Sequence, residues 1–186
     1  MVLDEIAVIA RPGTPTRREE VPAIAAALAR YRKLSRIEAP GTLEGGDVLR
    51  IGRDCYVGLS TRTNREGAQQ LAAIVGPLGY RVTPVAVHGC LHLKTAVTAI
   101  DEGTLLVSPG WIDAGPLRKY KRLEVPHDEP SAANALVVGS VVHISARCPQ
   151  TRRLLEEHGF RTETLDISEY EKAEAGLTCL SLLLTD

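Results

Sequence analysis

Apolar positions recur along this chain in two alternating rhythms: short, nearly continuous runs, and stripes spaced for a helix. Val2–Ala10 is such a run and predicts a strand. Thr16-Arg17-Arg18-Glu19 follows with the spacing of a capping box, a hydroxyl three residues ahead of a glutamate. Behind it Val21, Ile24, Ala25 and Leu28 fall at i, i+3, i+4 and i+7, the buried stripe of a helix. Pro22 is compatible with that helix, because the first turn has no partner for the N–H that proline lacks. Ser35–Glu38 returns as a short strand.

The same order then repeats. Val48–Ile51 and Tyr56–Ser60 read as strands joined by a tight turn at Gly52-Arg53-Asp54, and Thr63-Asn64-Arg65-Glu66 is a second capping box. Ala68, Leu71, Ala72 and Val75 give the helical stripe again, Gly79 stops it, and Tyr80–Val87 returns as a strand. A third unit comprises strands at Thr95–Ile100 and Thr104–Ser108, a short helix near Pro116–Tyr120, and Arg122–Val125. In a fourth, Ala135–Val138 and Val141–Ala146 are strands around Gly139-Ser140. Its helix starts at Pro149, faces Leu154 and Leu155 inward, and ends at Gly159-Phe160-Arg161-Thr162. Leu177–Leu184 is expected as a last strand.

Strand–strand–helix–strand at a spacing of roughly 40 to 47 residues is an internal repeat, and such periods indicate radial or stacked architectures. The expectation is a single α/β domain over residues 1–186, a ring of repeated modules. An open parallel sheet would need long crossovers between all its strands, and the tight strand–strand turns argue against it.

Charge narrows the choice of partners. Lys and Arg number 22 against 23 Asp and Glu, a net charge of −1, and nothing in it suggests the basic stripe of a nucleic-acid binder or a membrane-surface partner. Phe160, Trp111 and five tyrosines are the only aromatic residues, so the core must be aliphatic. No apolar run approaches the length of a membrane span, and Met1-Val2-Leu3-Asp4-Glu5 lacks the basic start of a signal peptide. Cys55, Cys90, Cys148 and Cys179 form no CxxC pair, which favours a reduced, cytoplasmic protein.

Candidate chemistry centres on Leu43-Glu44-Gly45-Gly46-Asp47-Val48-Leu49, where two glycines between carboxylates let the backbone turn tightly just before a strand. Leu91-His92-Leu93-Lys94-Thr95 adds a histidine and Leu177-Thr178-Cys179 a thiol. Glu44, His92 and Cys179 are together the parts of a thiol-nucleophile enzyme. A rival reading takes His88, Cys90 and His92 as alternate residues of one strand, all facing a zinc ion. No dedicated metal site is expected, since neither CxxC nor HExxH accompanies them.

These motifs, together with Val57-Gly58-Leu59-Ser60-Thr61-Arg62-Thr63-Asn64, Arg11-Pro12-Gly13 and Ser131-Ala132-Ala133-Asn134, resemble the dimethylarginine dimethylaminohydrolase family of the guanidino-group-modifying (pentein) superfamily. The resemblance runs through essentially the whole chain. It implies a five-module α/β propeller with the active site on its axis. It also implies hydrolysis of Nω-methylated arginine to citrulline and a methylamine, without a cofactor. Cys179 would be the nucleophile, His92 the acid and base, and Glu44 the group that orients the imidazole.

Arg17 and Arg62 would clamp the α-carboxylate of a small guanidino substrate. Each also stands at or just before an expected helix N-terminus, where a cation opposes the helix dipole unless an anion is present. Asp47 would either bind loop backbone or face the guanidinium, and Glu174 would help to recognise substrate or simply be solvated. In the family a module and a half precedes the segment seen here and ends in a Glu-Asp-Thr motif. The ring is therefore expected to lack its first module and to self-associate through open sheet edges. A non-catalytic partial propeller and an arginine deiminase are the alternative readings.

Overall fold

The computed structural model describes residues 1–179 and 181–184. Strand β1 (Ile6–Ile9) pairs in parallel with β2 (Lys33–Arg36), and helix α1 (Val21–Leu28) connects them. Three three-stranded sheets follow, each with its second strand in the middle. In the first, β4 (Asp54–Leu59) is antiparallel to β3 (Val48–Ile51) and parallel to β5 (Arg81–Ala86), with α2 (Arg65–Val75) crossing over. Short helix α3 (Leu93–Ala96) leads into the second, where β7 (Thr104–Val107) lies between β6 (Val97–Ala99) and β8 (Lys121–Glu124). The third places β10 (Val141–Ser145) between β9 (Leu136–Val138) and β11 (Arg161–Leu165), with α4 (Pro149–Glu157) as crossover and α5 (Ser168–Glu171) after it. Each unit thus combines a tight hairpin with one parallel crossover, the order read from the sequence. The sheets remain separate, and none is closed among the described residues.

Aliphatic packing joins the units in series. Leu49, Tyr56 and Val85 of the first three-stranded sheet share a core with Val97, Leu105 and Val107 of the second. Ile100, Leu106 and Leu123 on the other side of that second sheet pack with Val142, Ile144 and Leu155 of the third unit. The α2 stripe of Ala68, Leu71 and Val75 lies on Val8, Leu43 and Val57, so the helix is fixed by its apolar face. Tertiary packing of this kind, more than propensity, holds short helices. Among the described residues, no helix is long and apolar enough to cross a membrane.

Several local expectations are corrected. The Val2–Ala10 run contains only the strand Ile6–Ile9, because Met1 and Val2 fold back on it: Val8 N donates to Met1 O at 2.9 Å and Val2 bridges Ala7. Thr16 caps no helix. Pro15–Glu20 is a 3₁₀ turn entered from Thr14, and the Thr14 hydroxyl is bonded instead to the Arg62 guanidinium. At α2 the cap is Asn64, whose Oδ1 accepts from Gly67 N at 2.8 Å, which leaves Thr63 free for another task. In α1, Ala25 and Leu28 are buried but Ile24 is 46% exposed. Thr95 and Ala96 belong to α3 and not to a strand. No strand runs through the described part of Leu177–Leu184, and Leu180 lies outside the described residues. Local bonds satisfy that backbone: Asn134 Oδ1 accepts from Thr178 N at 3.1 Å, and Ser181 Oγ donates to Leu177 O at 2.9 Å. Leu177 is buried as an anchor, while Leu182, Leu183 and Leu184 are exposed.

Candidate active site

The hairpin entry at β3 sets the first part of the site. Leu43 is fully buried and its N–H donates to Arg11 O at 2.9 Å, pinning the chain just ahead of Glu44. Glu44 is extended, and its own N–H donates to the Thr63 hydroxyl at 3.0 Å. A 3₁₀ turn, Gly45–Asp47, then reverses the chain into β3. Gly46 lies flat against the imidazole of His92: a Cβ there would stand 2.7 Å from the ring. A side chain at this position would therefore displace the histidine, the reason a glycine is needed.

Glu44 is 4% exposed and fully engaged. Its Oε2 lies 2.8 Å from His92 Nε2 and accepts from Arg17 Nη1 at 3.2 Å. Its Oε1 accepts from Gly13 N at 3.2 Å, with Arg62 Nη1 at 3.7 Å. Burial pushes the Glu44 carboxyl up. The hydrogen bond from His92 and the charges of His92, Arg17 and Arg62 outweigh burial and hold it below its ordinary value. An ionised carboxylate can only accept, so Nε2 carries the proton facing it and Nδ1 is the nitrogen left for proton transfer.

Asp47 is fully buried with a different task. Its Oδ2 accepts from the Ser60 and Thr63 hydroxyls, both at 2.7 Å, and its Oδ1 from Leu93 N at 2.9 Å. It thereby ties β3 to the Ser60–Thr63 loop and to the start of α3, next to His92. Burial pushes the Asp47 carboxyl up, only partly offset by the bonds from Thr63, Leu93 and Ser60. Of the two uses the sequence left open for Asp47, the contacts are those of a structural acceptor.

Arg17 and Arg62 do converge, but on a carboxylate of the protein. Arg17 forms two parallel bonds to Glu20, Nε–Oε1 at 3.1 Å and Nη2–Oε2 at 3.0 Å, besides its contact with Glu44. The argument from a helix N-terminus does not hold for Arg17, which sits within the 3₁₀ turn Pro15–Glu20. Arg62 does precede α2, as expected.

Cys179 is exposed in the turn that follows Gly176. Its Sγ donates to Gly176 O at 3.0 Å and accepts from Gly176 N at 3.1 Å. Arg17 and Lys94 lie close enough to the sulfur that a thiolate there would favour both cations. No hydrogen bond joins Cys179 to His92 among the described residues. Glu174 is exposed, with φ 57°, on the rim of a cavity of 470 Å³ that Leu91, Thr95, Asn134 and Gly176 also line. A smaller cavity of 130 Å³ reaches Arg17, Glu20 and Glu44.

The alternation needed for a zinc ligand set is absent, since β5 ends at Ala86 and residues 88–92 form no strand. Cys90 Sγ instead donates to His92 O at 3.2 Å, and burial pushes its thiol up to about 11. Among the described residues, no group of three or more His, Cys, Asp or Glu could hold a metal ion.

Sequence reasoning gave Thr63 only a capping role and gave no site role to Ser60, Glu20, Lys94 or Asn134. Lys94 is half-buried one residue from the Asp47–Leu93 bond; burial pushes its ammonium down, against the charges of Cys179 and Asp47. Thr63 was hidden by its capping-box position, and Lys94 and Asn134 by lying inside motifs whose other residues drew the argument.

Comparison with known proteins identifies the family. The arginine deiminase family model matches residues 19–135. An N(G),N(G)-dimethylarginine dimethylaminohydrolase of Streptomyces coelicolor is 42% identical over the whole of this chain and 72% of its own length. The Pseudomonas aeruginosa protein of the same name is 37% identical over 95% of this chain and 70% of its own length. A solved structure of a mutant Pseudomonas aeruginosa enzyme complexed with citrulline superposes with a TM-score of 0.92 at 35% identity, covering 96% of this chain and 71% of that one. The chain thus belongs to the arginine deiminase family and, within it, to the dimethylarginine dimethylaminohydrolases.

Proposed function

We propose that this chain hydrolyses Nω-methylated arginine, dimethylarginine in particular, to citrulline and a methylamine through a covalent thiouronium on Cys179. The Glu44–His92 contact of 2.8 Å in a nearly closed carboxylate site carries the reading, because it fixes which imidazole nitrogen is available. The Cys179 thiolate attacks the guanidinium carbon, the C–N bond to the methylated nitrogen breaks, and His92 gives that nitrogen its proton. Neutral His92 then takes a proton from water, whose oxygen adds to the same carbon. Collapse expels the thiolate, the remaining water proton passes to the released amine, and the ureido group of citrulline is left. Atoms and charge balance with water as the only co-reactant.

Glu44 acts in this scheme by holding the imidazole. Arg17 and Arg62 would turn from Glu44 to the substrate α-carboxylate, a planar match for a guanidinium. Glu174 would line the approach through the larger cavity. Residues 1–186 are read as a single domain, the successive modules of a five-module α/β propeller. The repeated sheet order supports this reading. Self-association through open edges belongs to the same proposal, supported by exposed Val138 on β9 and Leu165 on β11. Cytoplasmic placement rests on the cysteine pattern. Product analysis with dimethylarginine and with arginine tests the function: citrulline with dimethylamine from the first is expected. Citrulline with ammonia from arginine alone would favour an arginine deiminase, and no citrulline from either would overturn the reading.

A further inference from the structure

Ser131-Ala132-Ala133-Asn134 stands in the sequence as a motif without a task, and the structure places its last residue against the thiol-bearing turn. Asn134 follows the 3₁₀ turn Pro130–Ala133, whose Ala132 and Ala133 are buried in the core shared by the last two sheets. The next residue is anchored as well: Ala135 is buried, and its N–H donates to the Thr98 hydroxyl at 3.3 Å. The side chain of Asn134 therefore projects from a rigid base.

Its Oδ1 accepts from the N–H of Thr178, the residue directly before Cys179, at 3.1 Å. The amide also packs on Gly176, where a Cβ would stand 2.5 Å from Nδ2 and 2.6 Å from Cγ. Gly176 in turn holds the sulfur through both its backbone groups. Asn134 thus touches the turn at two points ahead of the thiol, Gly176 and Thr178, and Gly176 is small because the amide needs that space.

We infer that Asn134 is a positioning residue for the nucleophile, clasping the Gly176–Thr178 turn so that Cys179 is presented to the acid–imidazole pair. This rests on the reading of Cys179 as nucleophile. A misplacement on the order of 1 Å at a reacting atom can cost about 10²-fold in rate. Asn134 borders the larger cavity but bonds to the turn and touches no reacting atom, so its loss acts more on kcat than on substrate affinity.

The test compares Asn134→Ala and Asn134→Asp with the unmodified chain. Asn134→Ala should lower kcat for dimethylarginine by about 10- to 100-fold, with a smaller change in KM. It should also speed hydrogen exchange at the Thr178 amide. Asn134→Asp keeps the acceptor oxygen and should restore most of both. Should Asn134→Ala fail to fold, Gly176→Ala carries the test, because its methyl pushes the turn off Asn134 and should give the same kcat loss. Unchanged kcat and unchanged Thr178 exchange in Asn134→Ala, or an Asn134→Asp variant as impaired as Asn134→Ala, would overturn the inference. If Cys179→Ser keeps full activity, the functional reading fails instead, and the exchange measurement still decides whether Asn134 holds the turn.

Discussion

The two ends of the site are built in opposite ways. At the acid end every Glu44 oxygen is occupied, the imidazole is wedged against Gly46, and Asp47 ties the surrounding loops together through three bonds. At the thiol end Asn134 Oδ1 accepts from Thr178 N, and the remaining side-chain bonds of this exposed turn are local to it. The sulfur there is turned onto Gly176, and in the proposed chemistry it would have to rotate off it to attack. Proton transfer depends on a fixed donor direction, so rigidity is placed where orientation matters. A nucleophile that forms and breaks a covalent bond to its substrate needs a path, and an exposed turn supplies one.

Removing each end should separate the two roles. The largest effect belongs to Cys179→Ser, which should lower citrulline formation by a factor on the order of 10³ or more. Thermal unfolding should stay within about 0.5 kcal/mol of the parent, as for other exposed positions. Retained turnover would remove the thiol from the chemistry. Next comes Glu44→Gln, which leaves His92 without its carboxylate in a buried site. A kcat loss of about 10²-fold and a destabilisation of about 2–3 kcal/mol are expected, read by kinetics and urea melts. Loss of activity without loss of stability would show that the acid end is not the rigid one.

Asp47→Asn should be milder on rate but clear on stability, about 1–3 kcal/mol, because an amide offers hydrogens where two hydroxyls now donate. The smallest effect is in pH, and here the two acids should differ in sign. The folded value of Glu44 lies below its ordinary 4.5, so its contribution is complete above 4.5 and is lost as pH falls through the folded value. The stability gap between the parent and Glu44→Gln should therefore shrink on acidification. The folded value of Asp47 lies above its ordinary 3.8, so the fold favours its protonated form and gains from it as pH falls through the folded value. The gap to Asp47→Asn should widen in that window. Urea melts carried from neutral pH to below the ordinary carboxylate values distinguish the two, and equal slopes would contradict the assignments.

Much of this arrangement was legible in the chain. The repeated strand–strand–helix–strand order was written in alternating runs and helical stripes, since β4, α2 and β5 each bury the face those stripes mark. Glu44 and His92 announced themselves by type and by the glycines beside them. Harder to read were residues that do two things at once. Thr63 has the spacing of a cap yet serves Asp47 and Glu44, because Asn64 caps the helix instead. Arg17 and Arg62 suggested an anion, and the anion they meet is a side chain far off in sequence. Leu177 and its neighbours look like a strand by composition, but strands need a partner ladder, and here local turn bonds and one asparagine took its place.

The central claim is that the exposed, loosely held thiol carries a covalent intermediate while the rigid Glu44–His92 end handles protons. Acid-quenched mass spectrometry of the protein during turnover of dimethylarginine tests it most directly. A thiouronium adduct on the peptide that contains Cys179, absent from Cys179→Ser and accumulating in Glu44→Gln, is the predicted result. Turnover without any adduct on Cys179, or an adduct on Cys90 or Cys148 instead, would contradict it.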